Sequence, residues 1–206
     1  MATAEDQEQR RLDRIAWRNA REVPRLCELT AEFLRGERVL FPGWLADDVD
    51  EETDPIVPAL CELCSAGVIP LASQPGHPRR KEHDERLISR RAFLTALAPA
   101  GVTQRWEGRA AEHGWLVQTF PACSGMQEGF QGEVLHREAA ALIGGEPFLW
   151  VGEPRGQEEL ELFADHVEPD LLEKLVELRY VTVLERRWGG GEGLFPALAA
   201  SLDEPV

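Results

Sequence analysis

The chain has 206 residues, 43% of them hydrophobic, and a formal net charge of −15. That length and apolar fraction suit one domain with a real core. The acidity repels free nucleic acid, no apolar run approaches the roughly 18 residues of a membrane span, and Met1–Asp6 carries no basic or apolar leader, so the expected location is the cytoplasm.

In chain order, residues 5–22 are charged and helical in character, with a thin apolar face from Ile15 and Trp17, and are read as an arm. Residues 24–35 predict a helix: Pro24 suits its first turn, Leu26, Leu29, Phe33 and Leu34 form a stripe, and Gly36 stops it. A buried turn or short strand around Pro42-Gly43 follows, and then six acids in the eight residues 47–54. That run lacks the looped ligand pattern and spacer glycine of a calcium site, and no metal is expected. Asp54 and Pro55 are read as the cap and first position of a helix that ends at Gly67. Cys61 and Cys64 have CxxC spacing without a second pair, so they are read as two small buried thiols rather than zinc ligands. Residues 69–72 form a short apolar strand ending in Ser73-Gln74-Pro75-Gly76.

The basic island between Arg79 and Arg91 is read as leading into a helix over about 84–98. Residues 101–120 contain Val102, Trp106 and a turn-like polar stretch, followed by Trp115–Phe120, which is read as a buried strand. A helix near 133–143, a short buried strand at 148–151, helices at 157–166 and 169–178, a β-branched strand at 180–184 and a short helix at 196–202 complete the list. This order predicts an α/β or α+β fold, a single mixed sheet of four to six strands covered by helices. Its bounds are an N-terminal helical arm over 1–22 and one α/β domain over 23–206.

Several segments in order carry a resemblance: Trp17-Arg18-Asn19-Ala20, Leu29-Thr30, Phe33–Gly36, Pro42-Gly43-Trp44, Ser73–Gly76, Trp106–Ala111 and Trp188-Gly189 with Leu194–Leu198. Together they resemble a family of small actinobacterial proteins of unknown function. The resemblance implies no activity. It implies that the Gln74 loop and the Arg109 segment belong to one feature. Gly108 stands where a glutamine is usual, and 77–104 looks like a longer insertion.

Gln74 offers an acceptor and two donors on a loop stiffened by Pro75. Arg109 suits a bidentate carboxylate or phosphate. With Ser73 they would form a polar pocket, or else a loop tied down by its own bonds. His113 is the one candidate proton carrier, with a surface or capping role as its alternative. Trp188, beside three glycines, is either a stacking residue or a core edge.

Two functions are expected from these features. One is a ligand-binding domain, or a small cofactor-independent enzyme, for an anionic or amide-containing small molecule held by Ser73, Gln74, Arg109 and Trp188. The other is an acidic interaction module, an immunity or antitoxin-type inhibitor, whose acids at 47–54 and 146–177 would cover a basic protein partner.

Overall fold

Two strands, β4 (Phe93–Ala98) and β8 (Arg179–Glu185), organise the core. Every residue of β4 is buried, as are the five central residues of β8. They pair antiparallel, and their facing threonines, Thr95 and Thr182, satisfy each other at 3.3 Å. The structure is a computed structural model describing residues 4–42, 50–81, 87–123, 138–153, 155–189 and 193–202. The edges of this first sheet are β1 (Ile69–Gln74), beside β4, and β5 (Trp115–Pro121), beside β8.

A second sheet has the order β2 (His77–Lys81), β3 (Leu87–Arg90), β6 (Glu138–Ile143), β7 (Glu146–Val151). All pairings in both sheets are antiparallel. The expected single mixed sheet is therefore two antiparallel ones. The described parts of the helices expected over 84–98 and near 133–143 are the strands β3, β4 and β6, and residues 84–86 and 133–137 lie outside the described residues. Arginines in the first and alanines in the second hid the alternation that marks a strand.

One feature joins the sheets. β1 runs into β2 through Pro75-Gly76, and β3 runs into β4 through Arg91-Ala92. Gln74 pairs with Phe93 in the first sheet and His77 with Arg90 in the second. Residues 69–81 and 87–98 are thus two antiparallel arms, each bent, with half in each sheet. Segment 77–104, read as an insertion, includes the central strand. A small apolar cluster seals the junction, with Phe93 and Leu184 of the first sheet against Ala140 and Val151 of the second.

Seven α-helices are described: α1 (Ala4–Asn19), α2 (Val23–Leu34), α3 (Val57–Ser65), α4 (Ala100–His113), α5 (Gly156–Ala164), α6 (Pro169–Val176) and α7 (Leu194–Ala200). α4 occupies the stretch read as turn-like. Its Trp106 is fully buried and donates its indole N–H to Ser201 at 3.2 Å. α3 starts later than Asp54 suggests. Residues Glu51–Ile56 form a 3₁₀ turn containing Pro55, and Ile56 is the N-cap. Its end follows expectation: Gly67, at φ +86°, donates to Cys64 O and Val68 to Leu63 O, closing a Schellman motif.

α1 is tied to the body by its second half. Trp17 is fully buried, donates to Leu40 O at 3.1 Å, and meets Phe41 and Phe163 edge-on. Among the described residues no helix is long and apolar enough to cross a membrane.

Candidate functional site

The bend opens a cleft. Where β1 leaves the first sheet, Pro75 removes a donor and the ladders part, so side chains there face a gap instead of a neighbouring strand. The gap holds about 250 Å³ and is lined by Asp50, Glu52, Ser73, Gln74, Arg90 and Phe148, among others. Glu52 braces the bend: its carboxylate takes an ion pair from Arg90 and lies 3.3 Å from His77 Nε2, so it bridges the facing pair that begins β2 and ends β3.

Gln74 Nε2 and His77 Nε2 are both buried at the bend and make no hydrogen bond, and of the two only Gln74 lines the cleft. A buried unsatisfied donor costs about 1–3 kcal/mol, which a ligand acceptor would recover. Asp50, at the rim, is exposed and spends nothing on capping the turn behind it.

A second, apolar pocket of about 50 Å³ adjoins the cleft, lined by Phe33, Leu34, Phe41 and Leu71 and sharing Asp50, Thr53 and Ser73 with it. Together the two reach the low end of small-molecule sites, about 300 Å³.

A larger groove of about 370 Å³ lies between α2 and α3, beside Cys27, Cys61 and Cys64. It suits chemistry poorly. Burial pushes the Cys27 thiol up to about 12 and drives Cys64 higher still, so neither is a thiolate nucleophile near neutral pH. No orphaned polar atom lines it among the described residues. The described residues also contain no group of three side chains placed to hold a metal.

Of the residues picked from the sequence, Ser73 and Gln74 come together at the cleft. Arg109 and His113 do not join them. Both sit on α4, which packs on β5 and β8, whereas Gln74 ends β1 at the opposite edge of the sheet. Three strand spacings, about 14 Å, separate those edges. His113 is exposed and stacks on Trp115 at 4.4 Å. Gly108 is exposed, and a side chain there would meet nothing within 4 Å. Trp188, 39% exposed, lies over the Arg91 guanidinium at 4.5 Å and does not line the cleft. Asp47 and Asp48 of the acidic run, and Trp44, lie outside the described residues.

The reading of the sequence missed Glu52, His77 and Arg90 as site residues. A signal existed: a Pro-Gly step between two strand-like runs, with a basic alternating stretch after it, marks a bent arm whose polar residues gather at the bend.

The chain matches no curated protein. Residues 12–204 match the model of a domain of unknown function, DUF6919, and the chain belongs to that family.

Proposed function

We propose that the protein binds a small anionic or amide-containing molecule in the cleft at the bend. One observation carries this reading: the buried, unpartnered Gln74 amide nitrogen on the wall of a cleft joined to an apolar pocket. Gln74 donates to a carbonyl or carboxylate oxygen of the ligand, with Ser73 and Arg90 beside it. Arg109, at the far edge of the sheet, has no part in it. An acid–base step in this cleft would draw on Glu52, with His77 at 3.3 Å behind it, rather than on His113.

The test is a thermal-shift screen of small carboxylates and primary amides. Gln74→Ala should abolish the ligand-induced rise in Tm and leave the ligand-free Tm unchanged or slightly higher, because an orphaned donor is removed. Arg109→Ala should keep the ligand response. Ligand shifts that survive Gln74→Ala, or a ligand-free protein that melts several degrees lower, would overturn the reading.

A further inference from the structure

We infer that the ligand is a small aliphatic α-amino acid bound as its zwitterion, a claim that rests on the site proposed above. Three features of the two adjoining spaces point there.

The first is size. The apolar pocket offers about 50 Å³ against about 250 Å³ in the cleft, room for only a few waters at about 10–15 Å³ each by that measure. It therefore suits a short alkyl group better than a ring. Phe33, Leu34, Phe41 and Leu71 offer that group apolar contact, with Thr30 and Thr53 on the remaining wall.

The second is the pattern of charge. Glu52 is already engaged by Arg90 and His77. Asp50 is not: its carboxylate has no ion pair and no capping bond among the described residues, and it borders both spaces. An ammonium group at the junction meets it there. Gln74, on the cleft side, donates to a carboxylate. One carbon bearing an amine, a carboxylate and a short alkyl chain answers all three walls at once, and only at the junction can its branches reach them.

The third is the field of the whole protein. At −15 the chain repels simple anions on approach. A zwitterion has no net charge and escapes that penalty while still presenting a carboxylate to Gln74.

Calorimetric titration of the full chain tests this with four probes: L-valine, isovalerate (which lacks the amine), isobutylamine (which lacks the carboxylate) and L-phenylalanine. L-valine should bind, and the other three should bind at least about tenfold more weakly, as expected when one charged hydrogen bond or the side-chain fit is lost. Asp50→Asn should weaken L-valine by about tenfold and leave isovalerate unchanged. Gln74→Leu should weaken both. Asp50 is exposed, so its variant should melt with the parent. If isovalerate binds as well as L-valine, the amino-acid assignment falls and the anion site stands. If L-valine gives no heat while another carboxylate or amide binds in a Gln74-dependent way, the assignment falls and the site stands again. If no probe binds and no carboxylate or amide shifts the Tm, both fall.

Discussion

Asp13 is a carboxylate with no solvent exposure at all. It survives there because it accepts three hydrogen bonds: from Arg38 Nη1 at 2.9 Å, the Val39 N–H at 2.8 Å and Gln9 Nε2 at 2.9 Å. Two of these donors lie beyond α2, so one side chain pins α1 to the segment that leads to Phe41. Removing it leaves the Val39 N–H without its acceptor and takes one of two carboxylates from the mostly buried Arg38 guanidinium, which keeps Glu32. Asp13→Ala should therefore destabilise the protein by about 1–3 kcal/mol, measured by urea unfolding; a change below about 0.5 kcal/mol would refute this account.

Glu159 is the opposite case. Half-buried on α5 beside Tyr180, it is held above its ordinary value of 4.5 by burial, with Arg155 opposing and Glu158 assisting. The folded state therefore keeps this proton to higher pH than the unfolded chain. The penalty is absent below pH 4.5 and grows as pH rises through the folded value. Glu159→Gln should raise Tm at pH 7, and the gain should vanish below pH 4.5. A gain of equal size at both pH values would point to packing instead.

At the scale of elements, α5 meets the end of β5 through a glycine. A Cβ on Gly156 would lie 2.2 Å from the Ala122 carbonyl oxygen, a backbone atom held in place because the Ala122 N–H donates to Leu178 O. Gly156→Ala should cost about 3 kcal/mol, the upper end for overpacking, read as a drop in the urea midpoint; a neutral substitution would show that α5 slides freely. Contacts of this kind leave no periodic trace. The elements that were legible, α2, β1, α6 and β8, each carry an apolar stripe or a β-branched run. Those misread, β3, β4 and β6, lack a clear alternation: Arg90 and Arg91 blur the first, the second is buried throughout, and a run of alanines fills the third. The bend between β1 and β2 was visible only as Pro75-Gly76. Gln74 could be named from the sequence because it sits at that punctuation, but its partners could not, since Glu52 and Arg90 are separated from it in sequence and joined only by pairing.

For the whole molecule, prolines mark the sheet edges. Pro70, Pro78, Pro121 and Pro147 lie in β1, β2, β5 and β7, the four edge strands, and none lies in β3, β4, β6 or β8. A proline cannot donate to a ladder, so it tolerates an edge and protects it from further pairing. The N-terminal helix, whose sparse apolar residues suggest an arm, contributes Trp17 to a cluster with Phe41 and Phe163. Sequence spacing cannot weigh one tryptophan against a polar face; a buried indole with its N–H satisfied can hold a whole helix.

The sequence alone determined the helix stops, the main β-branched strand, the acidity and the polar bend at Gln74, because each depends on residues within about one turn or one strand of each other. The tertiary structure decided that the strands form two antiparallel sheets, that Arg90 rather than Arg109 lines a cleft with Gln74, and that Glu52 meets Arg90 and His77 at the bend. Those choices rest on which distant strands share hydrogen bonds, and pairing between distant strands is set by the packing of the whole core rather than by any local pattern.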